Sequence, residues 1–195
     1  MLAFDNLDST ERHHNLMFQA IEFAAKAHAG QYRKGTKIPY IIHPLSVAKI
    51  LIDFDCTTEI IIAGILHDTL EDTIVTFADI VKLFGRHIAR IVESVSEPDR
   101  SDTWENRKRY TIEHLKTAPT EVLLVSCADK LDNIRSTIDE FTRIGDAVWF
   151  RFNRPRKQQR WYNQSLADVF MSRIDGEPGA TLFKQFDSEV KKFFG

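Results

Sequence analysis

What is scarce in this chain narrows its reading first. There are only two cysteines in 195 residues, Cys56 and Cys127, with no CxxC spacing between them. Both sit in apolar stretches, which excludes a disulfide-stapled secreted fold and points to buried thiols in a reducing compartment. No apolar run outlasts Ile60 to Leu66, far short of a membrane span. The first twelve residues carry Asp5, Asp8, Glu11 and Arg12, so no signal peptide is expected and the location reads as cytoplasmic. Charge of one sign is also missing. Lys and Arg total 26 against 28 for Asp and Glu, a net of -2, which gives no electrostatic reason for duplex nucleic-acid binding. Strand-period alternation, internal repeats and low-complexity tracts are absent as well.

What remains is an ordinary globular mix, 43% hydrophobic and 28% charged. A chain of this length buries about 70% of its unfolded surface and can support a core by itself. The texture is helical throughout, so an all-α fold is expected. Leu16, Ala20, Phe23, Ala24 and Ala27 recur at helical spacing and predict a helix from about Ser9 to Ala29, stopped at Gly30. Residues 30–42 read as a loop with Arg33, Lys34 and Lys37 as cations and Gly35 and Pro39 as breakers. A second helix starts near His43-Pro44 and runs to about Phe54. A third is capped by Thr57 or Thr58, and its body is apolar on every side, so it is expected to be buried. Helices follow at Thr76–Phe84, stopped by Gly85, at His87 to about Val95, and at Trp104–Lys116. Then VLLVSCADKLDNIRSTI forms a long helix with an apolar first half. Residues 96–103 form a polar loop, and two tail helices break at Gly176–Gly179.

Four groups of residues could carry chemistry. His67, Asp68, Glu71 and Asp72 fall within six positions directly after an apolar helix, and on a helix the three carboxylates would share a face. Clustered carboxylates repel unless something positive sits among them, and an acidic end is poorly matched to the helix dipole. A divalent metal is the simplest remedy, with a solvated acidic helix end as the bland alternative. Asp129 follows a buried-looking apolar stretch and needs a metal or a basic partner there. Asp132 and Asn133 lie within a turn of it. His43 stands where the loop meets the helix, as a ligand or as a packed ring. The other histidines, His13, His14, His28, His87 and His114, have no acids at ligand spacing and read as surface or packing residues. Finally, Arg33, Lys34 and Lys37 form one basic segment. Arg151, Arg154, Arg156, Lys157 and Arg160 form another without a single acid. Segregated acid and base in a neutral chain suit a small polyphosphate ligand. Trp161 and Tyr162, next in line, could stack on a base or pack the core.

The order His43, His67-Asp68, Asp129 resembles that of the HD-domain metal-dependent phosphohydrolases. The segments RKGTKIPYIIHP, AGILHDTLEDT and ADKLDNIR are similar to those of the alarmone hydrolase branch. That branch comprises the hydrolase half of the bifunctional Rel and Spo enzymes and the stand-alone Mesh-type hydrolases. The resemblance covers about residues 20–170 and implies one HD-type helical bundle of roughly eight to ten helices over residues 1–195. It implies that His43, His67, Asp68 and Asp129 hold one divalent ion, typically manganese, and that Glu71 and Asp72 position and deprotonate water. It implies that Arg33 and Lys34 lie at the nucleotide, with Arg33 stacking on the base. Asn133 would contact the ribose or the attacked phosphate, and Lys157 and Trp161 the distal phosphates. The implied reaction removes pyrophosphate from the 3′ position of (p)ppGpp, leaving GDP or GTP. Two alternatives stay open: an HD-superfamily nucleotidase or phosphatase on another phosphorylated nucleotide such as NADPH, and a non-catalytic nucleotide sensor. The length leaves no room for a synthetase domain in cis. No oligomeric state is implied.

Overall fold

The structure, a computed structural model, describes residues 9–97 and 101–195, with side chains from residue 15 onward. The acidic residues Asp5 and Asp8, the side chains of Glu11, Arg12, His13 and His14, and residues 98–100 of the polar loop lie outside this description.

Among the described residues the elements are α1 (Ser9–Ala27), α2 (Ile42–Asp53), α3 (Thr58–Leu66), α4 (Thr69–Asp72), α5 (Phe77–Val95), α6 (Trp104–Leu115), α7 (Thr120–Ile144), α8 (Arg156–Ser172) and α9 (Gly179–Phe194). A 3-10 segment, Gly145–Arg151, joins α7 to α8. The helical periodicity thus translated into helices at nearly every expected boundary. The break at Gly85 appears as a kink inside α5, where φ is +86°, a backbone region that only glycine enters freely. Thr76 caps α5 reciprocally with Asp79. Thr57 occupies the cap of α3 in extended conformation without donating or accepting a side-chain capping bond. The 3-10 segment is the element that periodicity did not announce. Gly145 ends α7 at φ +60°, and a seven-residue stretch is too short to show a period.

The apolar body of α3 and the apolar first half of α7 became the centre. Every residue of α3 from Ile60 to Leu66 is buried, as is α7 from Val122 to Ala128. A helix with no polar face has nowhere to sit but between others. α3 packs on α1, α2, α5 and α7, while α7 also meets α2, α5, α8 and α9. Phe170, Phe183 and Phe186 close the α8–α9 end, with ring centroids 5.3 and 5.6 Å from Phe170. Arg173 clamps the junction of α6 and α7 by donating to the carbonyls of Leu115, Lys116 and Ala118, which the end of α6 leaves unsatisfied.

This core sets the position of α3's last turn, where the chemistry begins. Gly64 is the closest point of the α2–α3 crossing. A Cβ there would lie 2.5 Å from Leu51 Cδ1 and 3.3 Å from Val47 Cγ1, both on fully buried side chains. Gly64→Ala is therefore expected to destabilise the fold by about 1–3 kcal/mol through overpacking. Because Gly64 also orients His67 (below), the variant should bind metal more weakly at a temperature where it is still folded. Chemical denaturation paired with metal titration checks both, and an unchanged denaturation midpoint would contradict the packing argument.

Candidate metal centre and substrate cleft

The last turn of α3, the first turn of α2 and the middle of α7 converge on two imidazoles. His43 and His67 are 3% and 4% exposed, with ring centroids 5.1 Å apart. Each ring is held by its Nδ1. His67 Nδ1 donates to the Gly64 carbonyl at 2.7 Å, within its own helix turn. His43 Nδ1 donates to Asp132 Oδ2 at 2.6 Å, across 89 residues of sequence. Both acceptors lack hydrogens, so both Nδ1 atoms carry the proton and both Nε2 atoms can present lone pairs to the same space.

Two carboxylates face those lone pairs. Asp129 Oδ1 lies 3.1 Å from His43 Nε2 and 3.9 Å from His67 Nε2. Asp68 Oδ2 lies 3.0 Å from His67 Nε2 and 3.7 Å from His43 Nε2. One ligand atom each from His43, His67 and Asp129 falls within 4.8 Å of the others. His67 Nε2 is buried without a hydrogen bond in proper geometry. A buried, unpartnered imidazole nitrogen aimed at carboxylate oxygens fits a divalent cation, and the nitrogen-and-oxygen donor set suits several such ions. The negative end of α3 points the same way and favours a cation.

Around this point the remaining acids are individually placed. Asp68 follows the His67 cap of α3 and opens the turn α4, whose Asp72 N–H donates to the Asp68 carbonyl at 2.9 Å. The Tyr40 hydroxyl donates to Asp68 Oδ2 at 2.7 Å and reaches Asp72 Oδ2 at 3.2 Å. Glu71 Oε2 accepts from the Glu97 backbone N–H at 3.1 Å. Burial raises the Glu71 pKa, and although the Glu97 N–H opposes this, the nearby charge of Asp68 helps hold it above the usual carboxylate range. Asp129 also accepts from Lys130 Nζ at 2.6 Å and from the Asn133 carboxamide. It thus has the basic partner that its sequence position allowed, and it also faces the two imidazoles. Burial works against its ionised form, but Lys130 and the two histidines hold its pKa well below the usual range.

These groups line an inner cavity of about 190 Å³. It opens into an outer one of about 390 Å³, within the range of small-molecule sites. Arg33, Tyr40, Arg107, Lys108, Lys130 and Asn133 line both. The outer wall is aromatic, with Trp104, Trp149, Phe152 and Tyr162, and carries Lys34 and Arg151. Acids therefore sit at the bottom and cations at the neck.

The structure brings His43, His67, Asp68, Glu71, Asp72, Asp129, Arg33 and Asn133 to the inner cavity, and Lys34 to the outer one. Arg33 Nη2 donates to Asn133 Oδ1 at 2.9 Å and lies 3.9 Å from Asp132. Lys157 and Trp161 line neither cavity. The phase of α8 turns Gln159, Tyr162 and Asn163 into the outer cavity. Lys157 and Trp161, one turn apart, face away, and Trp161 packs near Trp104 with centroids 6.2 Å apart. The basic run is likewise dispersed. Arg154 pairs with Glu105, while Arg156 and Arg160 donate to the carbonyls of Phe193 and Gly195. Only Arg151 of that run reaches the cleft, where it pairs with Glu140.

Sequence reasoning passed over Tyr40, Glu97, Arg107, Lys108 and Lys130, and placed Asp132 only as a neighbour of Asp129. In α6, Arg107 and Lys108 both pair with Glu97, an acid ten and eleven residues earlier. Glu105 and Glu113 mask them in any count of local charge. Asp132 did carry a signal, its three-residue spacing from Asp129, which puts both on one face of α7.

The sequence profile of the HD domain family matches residues 20–170. The chain belongs to the HD domain family. That family is all-α, in keeping with the helices described. This HD-domain chain is 40% identical over 123 residues to the zebrafish (Danio rerio) protein named guanosine-3′,5′-bis(diphosphate) 3′-pyrophosphohydrolase MESH1, covering 62% of this chain and 68% of that one. It is 42% identical over 123 residues to the guanosine-3′,5′-bis(diphosphate) 3′-pyrophosphohydrolase of Aquifex aeolicus, covering 60% of this chain and 17% of the other. Among solved structures, lmo0812 of Listeria monocytogenes superposes with a TM-score of 0.71 at 37% identity, over 80% of this chain and 96% of that one. A metazoan ortholog of SpoT described as hydrolysing ppGpp superposes with a TM-score of 0.74 at 26% identity, over 92% and 96%.

Metal loading of this HD-domain centre is expected to release protons. Burial works to lower the His67 pKa, but Asp68 and Asp129 overcome it and push the value up to about 9 without a metal. Below that pH the metal-free ring holds a proton on the nitrogen that a metal needs. Apparent affinity should therefore rise as pH increases from about 7 toward 9. Calorimetric titration with Mn²⁺ in two buffers of different ionisation enthalpy measures the release. A binding enthalpy independent of buffer would contradict it.

Proposed function

We propose that this chain hydrolyses ppGpp and pppGpp at the 3′ position, releasing pyrophosphate and leaving GDP or GTP, with manganese as its divalent ion. The observation that carries this reading is the buried, unpartnered His67 Nε2 at the bottom of a cation-necked cleft, in a chain similar to proteins named for that activity. His43, His67, Asp68 and Asp129 would hold the ion. When bound, it supplies Lewis acidity toward the phosphoryl group and toward water.

The chain's own residues do the rest. Glu71 and Asp72 orient water toward the phosphorus bonded to the ribose 3′ oxygen and take its proton. The raised pKa of Glu71 suits a group that must accept a proton near neutral pH. The bond from that phosphorus to the 3′ oxygen breaks, pyrophosphate leaves, and the 3′ oxygen regains a proton. Arg107, Lys108 and Lys130 at the neck neutralise the phosphates, a task that fixed cations perform best away from bulk water. Arg33 and Asn133 meet the ribose side, and the nucleoside occupies the outer cavity beside Lys34. The two buried, unbridged cysteines suit a reducing cytoplasm.

Product analysis with ppGpp and Mn²⁺ tests the activity. Pyrophosphate and GDP are expected, and chelation should abolish both. Orthophosphate as the product, or no cleavage of ppGpp while NADPH is dephosphorylated, would overturn the reading. Single variants test the roles. Asp72→Asn is expected to lower kcat by about 10²–10⁴-fold with metal content unchanged, the usual range for a lost general base. His67→Ala is expected to lose bound manganese, measured by elemental analysis, and stoichiometric metal in that variant would refute the ligand assignment.

A further inference from the structure

The loop between α1 and α2 is a small hairpin, and both of its edges reach Asp72 while Arg33 on one of them reaches the neck of the cleft. Tyr32 and Pro39 pair in an antiparallel bridge. Arg33 N–H donates to the Ile38 carbonyl and Tyr40 N–H to the Gln31 carbonyl, both at 2.9 Å. Gly35 makes the turn at φ +76°. Side chains alternate along such a strand, so Gln31 and Arg33 share one face of the hairpin while Tyr32 between them is 60% exposed. Arg33 reaches Asn133 and the neck of the cleft. Gln31 reaches elsewhere.

The Gln31 carboxamide donates from Nε2 to the backbone carbonyl of Asp72 at 2.8 Å. That carbonyl ends a helix of only four residues, after which Thr73 is extended (φ −134°, ψ −174°). The last carbonyls of so short a helix have no helical partner. Gln31 supplies one from outside. Its other end is held in turn, because Oε1 accepts from His28 Nδ1 at 2.8 Å. The His28 ring is 3% exposed and lies against the Tyr40 ring, centroids 4.9 Å apart and 31° from parallel. Tyr40 then donates its hydroxyl toward Asp68 and Asp72. One hairpin thereby grips Asp72 twice, by its carbonyl through Gln31 and by its carboxylate through Tyr40, with His28 bracing both.

We infer that Gln31 and Tyr40, braced by His28, are positioning residues that hold the Asp72 carboxylate at its reactive orientation, and that the hairpin ties this orientation to the Arg33 side of the cleft. This rests on the reading of Asp72 as the group that takes the proton from water. Neither Gln31 nor the bracing histidine lines the inner cavity, so their effect passes through Asp72. Sub-ångström displacement of a reacting group is costly, and a misplacement of about 1 Å can lower a rate by about 10²-fold.

The test uses the full chain with ppGpp and Mn²⁺. Gln31→Met keeps the length and neutrality of the side chain and removes the donor to Asp72. It is expected to lower kcat about tenfold or more, with KM within about twofold and manganese stoichiometry unchanged. Arg33→Ala should do the reverse and raise KM. On an Asp72→Asn background, Gln31→Met should cause no further loss of the residual rate, because the residue it serves is already disabled. A mere packing role would lower both backgrounds equally and would overturn the inference, as would a loss confined to KM or to metal content. Should Gln31→Met fail to fold by thermal melting, Tyr40→Phe decides. It is expected to show the same kcat loss at full metal content, and loss of metal instead would assign the hydroxyl to Asp68 alone. If Asp72→Asn itself turns over at the parent rate, the reading of Asp72 falls. If Asp72→Asn is inactive and Gln31→Met retains the parent kcat, the positioning inference falls alone.

Discussion

Two hydrogen bonds made on the far side of two imidazoles organise the rest of the centre. His67 Nδ1 to the Gly64 carbonyl and His43 Nδ1 to Asp132 turn both Nε2 lone pairs inward. Without them each ring could rotate or change tautomer, and the carboxylates of Asp68 and Asp129 would lose the two nitrogen donors that complete the set. One of these bonds is local and depends on the close crossing of α2 and α3 at Gly64. The other spans from the start of α2 to the middle of α7 and so depends on the whole core. The core exists for packing reasons, yet its helix ends are where it holds buried polar groups.

The cleft layers opposite charges by depth. The acids lie at the bottom, where a cation would lower their mutual repulsion, and Arg33, Arg107, Lys108 and Lys130 lie at the neck. Several of these charges are already tied down, as Glu97 holds both Arg107 and Lys108, and Asp129 holds Lys130. Cations fixed in advance need little reorganisation when a polyphosphate enters, which is the condition for strong electrostatic stabilisation. Glu97 also donates its backbone N–H to Glu71, so the same short segment links the cationic neck to an acid at the bottom.

The helices were legible because their cause is local. The three-and-four spacing of α1, the apolar body of α3, the apolar first half of α7, and the breaks at Gly30 and Gly85 are properties of neighbouring residues. The cluster His67, Asp68, Glu71 and Asp72 was legible for the same reason, since four ionisable side chains in six positions violate what a solvated helix end prefers. Its companions were harder. Asp129 looked like a core ion pair or a metal-side carboxylate, and it is held by Lys130 as well as facing the histidines. The run from Arg151 to Arg160 reads as one basic segment suited to a polyphosphate. Arg154, ahead of α8, turns to Glu105, and along α8 the helical rotation carries Arg156 and Arg160 to the carbonyls at the end of α9.

By itself, the sequence determined which segments are helical, which two helices must be central, and which side chains offer metal-type donors. Periodicity and donor chemistry are written residue by residue. Only the tertiary structure decided that Asp132 braces His43, that Arg33, α6 and α7 rather than the Arg154–Arg160 segment supply the neck cations, and that Gln31 and Tyr40 meet Asp72 from two sides. Each of these is a contact across tens of residues. Such contacts depend on helix rotation and crossing angle, which the packing of the whole core sets and no local pattern encodes.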